Sequence, residues 1–285
     1  MEIYPLYING EFKETAKKQK IINPSTSEAL AEVCVAEVTD IEEAISVSCQ
    51  AFDSGGWPEL PLAKRKEFLL KISEGILENA QELAKLETLN CGKPIKETTF
   101  MDVPSSAKTF AYFARNLEKY LASETLEITD ETSSAQSTLL YEPQGVVVLI
   151  VPWNYPLLIA SWKMSQALAA GNTVILKPSS LTPLTALKLA EIIQNAGLPK
   201  GVVNIINGSG EEIGEVLCAD KRVDMISFTG SNEVGRKIIQ YSTKSVKKLL
   251  LELGGKSAAI VLADVDIEMV VNSLLCAIFL NQGQM

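Results

Sequence analysis

Val146-Val147-Val148-Leu149-Ile150-Val151, then Pro152-Trp153-Asn154-Tyr155-Pro156, then an apolar helical stretch over 157–170, together decide the fold. A short β-branched run closed by a proline-flanked turn reads as a buried strand, and the periodic stretch behind it as a helix. Working outward, the unit recurs. Apolar runs at 174–176, 202–206, 225–228, 249–251 and 258–262 alternate with helical stretches at 183–196, 212–218 and 233–241. Short strands that are apolar throughout and separated by helices belong to parallel sheets covered on both sides. From Gly145 onward the chain is therefore expected to be α/β, a Rossmann-like parallel sheet with helices on both faces.

Upstream, Leu6-Tyr7-Ile8-Asn9-Gly10-Glu11-Phe12 sets two β-prone runs around Asn-Gly, a hairpin signal. Helical patterns follow: one capped by Thr39-Asp40 and carrying Ile41, Ala44, Ile45 and Phe52, and others at 65–77, 80–89 and 107–121. The first third reads as mostly helical. Residues 124–142 are β-prone yet polar, which predicts a projecting β-arm suited to subunit contact.

The 285 residues include 35 Asp and Glu against 26 Lys and Arg, a formal charge of −9, so the mean field repels nucleic acid and anionic membrane. A local nest of backbone N–H groups with one lysine can still hold a pyrophosphate. Five scattered cysteines, Cys34, Cys49, Cys91, Cys218 and Cys276, show no disulfide or metal spacing, and with no leader-like or membrane-length apolar run a cytoplasmic protein is expected. There is no histidine, which removes triads, Cys-His dyads and His-ligated metals from the chain's own chemistry; no metal is expected.

Taken singly, the candidate residues admit two readings each. Gly230-Ser231-Asn232-Glu233-Val234-Gly235 follows a strand and opens a helix, so it either faces a phosphate or merely makes the turn. Lys177 ends a strand at the edge where ligands bind such sheets, or is simply solvated. Glu252, in Leu251-Glu252-Leu253-Gly254-Gly255-Lys256, is a general base if burial raises its pKa, and otherwise an exposed strand-end acid. Asn154 is an oxyanion donor or a turn residue.

In this order and on these elements the motifs resemble the aldehyde dehydrogenase superfamily, in particular its betaine- and aminoaldehyde-oxidising branch. The resemblance runs from Ile8-Asn9-Gly10 and Asn23-Pro24 through Pro152-Trp153-Asn154-Tyr155-Pro156, Gly171-Asn172-Thr173-Val174, Lys177-Pro178-Ser179 and Phe228-Thr229-Gly230-Ser231 to Glu252-Leu253-Gly254-Gly255-Lys256. It implies that Lys177 holds the adenosine ribose of NAD or NADP, that Gly230, Ser231 and the helix through Gly235 face the pyrophosphate, and that Trp153, Gly208 and Leu253 wall the cofactor cleft. Asn154 would stabilise an oxyanion and Glu252 would activate the water that hydrolyses a thioester. Tyr155, Ile159 and Trp162 would line the aldehyde tunnel, or serve as core.

Two departures follow from the resemblance. Ser180 stands where NAD-preferring relatives carry a glutamate, which removes a barrier to NADP. Phe279-Leu280-Asn281-Gln282-Gly283-Gln284-Met285 matches the motif whose nucleophilic cysteine comes next, so that cysteine is expected directly after Met285 and none of the five present aligns with it; Cys276 reads as a core thiol. The resulting expectation is aldehyde oxidation through a cysteine thioester by the family, with these 285 residues inactive by themselves, the alternative being a non-catalytic chain that binds nucleotide or a partner. Its domains would be 1–123 with 143–252 for NAD(P), 124–142 as an oligomerisation arm, and 253–285 as the start of a catalytic domain whose absence bares a face carrying Leu251, Ile260 and Leu262. An intact relative would be a homodimer or homotetramer.

Overall fold

The structure is a computed structural model that describes residues 1–129 and 134–285. Strands, not helices, open the chain: β1 (Ile3–Tyr4), β2 (Leu6–Ile8), β3 (Glu11–Lys13), β4 (Lys18–Ile22) and β5 (Ala29–Cys34). Asn9 and Gly10, at φ 55° and 77°, turn β2 back onto β3, the left-handed pair that a two-residue hairpin needs. β1, β5 and β4 form a separate small sheet. The hairpin expected around Asn9-Gly10 is present as β2 and β3, whereas β1, β4 and β5 are strands where the sequence shows no strand signal. These strands are too short to show a period, and they are completed by pairing with distant chain.

Helices follow as α1 (Val38–Asp53), α2 (Leu62–Glu78), α3 (Ala80–Cys91), the single turn α4 (Ile95–Glu97), a π-helical turn Thr98–Asp102 and α5 (Val103–Tyr120). α1 starts before the Thr39-Asp40 cap expected from the sequence. Glu37 is the cap, and Asp40 is the third helical residue, whose carboxylate accepts the Glu37 N–H at 2.8 Å. An exposed hairpin, β6 (Glu124–Thr129) with β7 (Ser134–Leu139), stands where the β-arm was expected, although residues 130–133 of that arm lie outside the described residues.

The second half alternates: β8 (Val146–Ile150), α6 (Pro156–Ala169), β9 (Thr173–Lys177), α7 (Leu184–Ala196), β10 (Val203–Ile205), α8 (Glu215–Ala219), β11 (Met225–Gly230), α9 (Asn232–Ser242) and β12 (Lys248–Leu253). Its strands pair in the order β12-β11-β8-β9-β10-β2-β3, parallel from β12 to β10 and antiparallel through the added hairpin. Both sheet faces are apolar, which is why β8 reads as a continuous run. Val147 and Leu149 join the core beneath α2, α5, α6 and α7, while Val146 and Val148 join the core beneath α1, α8 and α9. Each such buried aliphatic side chain contributes roughly 1.5–3 kcal/mol.

Gly145 shows how tightly the sheet closes at its amino end. Its φ is +130°, and a Cβ there would lie 2.0 Å from Asp224 Oδ2, the atom that accepts the Val146 N–H at 2.8 Å. Only glycine fits.

Beyond β12 two expectations fail. The run 258–262 forms no strand, because no described strand runs beside it to fill a hydrogen-bonding ladder. Helix α10 (Ile267–Phe279) buries none of its residues, so Cys276 is exposed and is not a core thiol: among the described residues the helix packs chiefly on the turn Leu280–Gly283 that follows it. Ile260 and Leu262 are exposed as expected, but Leu251 packs against the core beneath α1, α8 and α9. No helix among the described residues is long and apolar enough to cross a membrane.

Candidate functional site

Chain order and strand order diverge at β8: β9 and β10 lie to one side of it, and β11 and β12 to the other. Such a reversal leaves a crevice beyond the carboxyl ends of the strands, where open α/β sheets bind ligands. A cavity of about 590 Å³ occupies it, walled by Ile150 at the end of β8, Lys177 at the end of β9, Ser209 to Gly214 after β10, and Glu233, Val234, Ile238 and Tyr241 of α9. Lys177 is 5% exposed, and its ammonium donates only to the adjacent Pro178 carbonyl, at 3.2 Å, among the described residues. Burial pulls its pKa down to about 8, with Cys218 opposing the fall. A buried cation without a side-chain partner is a poised anion or hydroxyl site.

Ser231 caps α9, its Oγ accepting the Val234 N–H at 3.3 Å, so the turn from Gly230 brings the helix N-terminus to the strand ends. Gly235 packs closely on β12: a Cβ there would lie 2.8 Å from Leu253 Cδ2, so the exposed Leu253 side chain would have to shift. Gly208 is buried behind the Ser209 wall, where a Cβ would meet Ile213 Cδ1 at 2.9 Å.

The opposite sheet face carries a second cavity of about 590 Å³, lined by Val147, Leu149, Ile159, Trp162, Lys163, Ser227, Leu250 and Glu252 among others. It brings the expected base together with two of the three expected tunnel residues. Glu252 is exposed here because β12 is an edge strand, so the burial expected from the sequence is not present. Lys163, one turn after Ile159, escaped the sequence reading. Its ammonium donates to Ser227 Oγ at 2.7 Å, and burial lowers its pKa to about 8 against the opposing charge of Glu252. A lysine at the (i, i+4) position from a tunnel residue was the available signal.

The turn before α6 holds the remaining residues. Asn154 Nδ2 donates to the Gln284 carbonyl at 2.6 Å, its own carbonyl accepts from Asn281 Nδ2 at 2.7 Å, and its Oδ1 is buried without a partner. The Asn281 N–H in turn donates to Glu97 at 2.9 Å, and Tyr155 OH donates to Met285 Sδ at 3.5 Å. Asn281, Gln282 and Gly283 all have positive φ, the sharp turn that carries Gln284 and Met285 to the Asn154 side chain.

Trp153 is 45% exposed and borders a third cavity, of about 340 Å³, shared with Ser180, Cys91 and Gln284. The structure does not bring Ser180 to the Lys177 cavity; its carbonyl accepts from Gln19 at 3.0 Å. Cys91 lies nearest Asn154, yet its thiol is buried, donates to the Trp153 carbonyl at 3.3 Å, and is pushed up to about 12 by burial, which makes it inert. Cys218 is likewise buried, with its thiol pushed up to about 12. Among the described residues no cluster of acids and cysteines could hold a metal ion.

The aldehyde dehydrogenase family model matches residues 12–285. A betaine aldehyde dehydrogenase of Bacillus subtilis is 43% identical over 281 residues, covering 98% of this chain and 56% of its own length. The NAD+ complex of an aldehyde dehydrogenase from Bacillus cereus superposes with a TM-score of 0.95 at 38% identity, over 100% of this chain and 57% of that one. Betaine aldehyde dehydrogenase from Staphylococcus aureus in complex with NAD+ superposes at 0.91 with 38% identity, over 97% and 54% of the two chains. The chain spans about half the length of the curated relatives it matches.

Proposed function

Because the chain belongs to the aldehyde dehydrogenase family, we propose that it forms the cofactor half of an enzyme that oxidises an aldehyde to a carboxylic acid, with NAD or NADP as hydride acceptor. The observation that carries this reading is the cavity at the strand-order reversal, lined by the buried Lys177 ammonium, whose one partner among the described residues is the Pro178 carbonyl. The residues fit such a cofactor. Lys177 would donate to the adenosine ribose, the α9 N-terminus at Gly230 and Ser231 would receive the pyrophosphate, and Val234, Ile238 and Tyr241 offer an apolar slot for the base. Gly208, Gly235 and Leu253 would shape the walls, and Trp153 would border the cleft. Bound there, the cofactor supplies the two-electron acceptor. Tolerance of NADP beside NAD, expected from Ser180, would also depend on Glu211 and Glu233, the carboxylates that line the Lys177 cavity.

On the other face Asn154 would donate to the developing oxyanion, and Tyr155, Ile159 and Trp162 would wall the aldehyde. Glu252 would take the proton of the hydrolytic water. Acyl transfer also needs a thiolate beside Met285. Cys91 and Cys218 are inert, Cys276 is remote on α10, and Cys34 and Cys49 lie outside the cavities described. The 285 residues alone would therefore bind dinucleotide without turning over aldehyde. Residues 1–123 and 143–252 would be the binding domain, 124–142 an arm for homo-oligomer contact, and 253–285 the beginning of the catalytic domain.

The exposed apolar surface of 260–262 and α10 favours a second reading as well, in which the chain acts through a partner polypeptide seated there. An NAD(P)-dependent oxidation assay over an aldehyde panel, with tryptophan fluorescence recorded in the same sample, separates the cases. Binding without turnover is expected. Turnover by the chain alone would mean that one of its own cysteines attacks, and absence of binding to both dinucleotides would end the cofactor reading.

A further inference from the structure

Beneath the Trp153-Asn154-Tyr155 turn lies a set of charged side chains for which the chemistry above has no use. Lys93 Nζ and Asp102 Oδ2 are 2.6 Å apart with side-chain exposures of 0% and 3%, and the same ammonium sits 4.0 Å from the centroid of the Tyr155 ring. Lys93 follows the left-handed Gly92 that ends α3, and Asp102 closes the π-helical turn. The wider turn is what swings a carboxylate back toward Lys93 from the start of α5.

A fully buried ammonium is retained only when its charge is met, and Asp102 is its one hydrogen-bonded partner among the described residues. Its remaining face meets the negative π-cloud of Tyr155, a contact that gains strength out of water. We propose that Lys93 is a positioning residue, which, neutralised by Asp102, clamps the face of the Tyr155 ring and so fixes the wall beside Asn154. The clamp sets how the ring presents its edge and hydroxyl toward Met285, 3.5 Å from the phenol oxygen. The assignment of that wall to an aldehyde rests on the proposed function; the clamp itself rests on the ion pair and the ring contact.

The test uses the whole 285-residue chain, with tyrosine rings 13C-labelled and the Tyr155 signals assigned through Tyr155→Phe. Lys93→Met combined with Asp102→Asn removes both charges of the pair, so neither partner is left as an unpaired buried ion. It is expected to retain the fold and unchanged NAD binding, to shift the Tyr155 ring signals, and to weaken propanal binding, read by tryptophan fluorescence, about tenfold. Should the pair not fold, the unsubstituted chain decides through the Lys93 Hε resonances. These are expected upfield by the Tyr155 ring current, and back at ordinary lysine positions in Tyr155→Leu. Unmoved Tyr155 signals in the folded pair, or ordinary Lys93 Hε shifts in the parent, overturn the proposal. Loss of NAD binding by the parent chain would instead count against the proposed function, while the ring signals still judge the clamp.

Discussion

Glu87, on α3, is a carboxyl with 0% exposure whose Oε1 accepts the Leu157 N–H at 3.2 Å and whose Oε2 accepts the Thr185 hydroxyl at 2.5 Å, tying the amino ends of α6 and α7 together. Burial raises its pKa from 4.5 to about 7, opposed first by the charge of Lys93. A folded-state value above the unfolded one means that the folded protein holds this proton more tightly. The stability it contributes is complete below pH 4.5 and is lost as pH rises through about 7. That interval of about 2.5 pH units, at about 1.4 kcal/mol per unit, amounts to about 3 kcal/mol. Glu87→Gln preserves both contacts, its amide carbonyl accepting from Leu157 and its amide N–H donating to Thr185, but cannot ionise. Urea unfolding at pH 5, 6, 7 and 8 should therefore show the parent losing about 2.5 kcal/mol more than the variant across the series, the remainder being lost already below pH 5. Glu87→Ala, which strands both donors, should be less stable at every pH. Parallel pH profiles for the parent and Glu87→Gln would refute the reasoning.

Three further outcomes are expected. Gly145→Ala, which drives a Cβ to 2.0 Å from Asp224 Oδ2 at φ +130°, should lower stability by about 3 kcal/mol or more in a thermal melt; a shift of under a degree would show that the close approach is not real. Lys177→Met should weaken NAD binding tenfold or more, the worth of about one charged hydrogen bond, in a fluorescence titration, with equal affinity counting against the ribose role. Since the Lys177 ammonium is the charged form below its pKa of about 8, affinity in the parent should fall between pH 7 and 9, and the Met variant should lack that fall.

The interior strands were legible because their two faces meet two cores: a run such as 146–150 is apolar at every position, and the helices beside it carry their own period. The Asn9-Gly10 turn was legible because its geometry is local. What escaped was decided by partners. Residues 258–262 have the composition of a strand but no neighbour, and Cys276 lies in an apolar pattern that nothing covers. At the site, the strand end at Lys177 and the start of α9 at Glu233 and Val234 line one cavity, and Glu252 lines another with Ile159 and Trp162. Lys163 and Lys93 were missed because a lysine's burial is set by residues far away in sequence, Ser227 for one and Asp102 with Tyr155 for the other.

Backbone hydrogen exchange of the 285-residue chain with and without saturating NAD tests most directly whether the crevice at the strand-order reversal is a dinucleotide site. Slowed exchange is expected at Lys177, at 209–214 and at 233–238, which wall the Lys177 cavity. Unchanged exchange there, or protection confined to the Glu252 face, would contradict it.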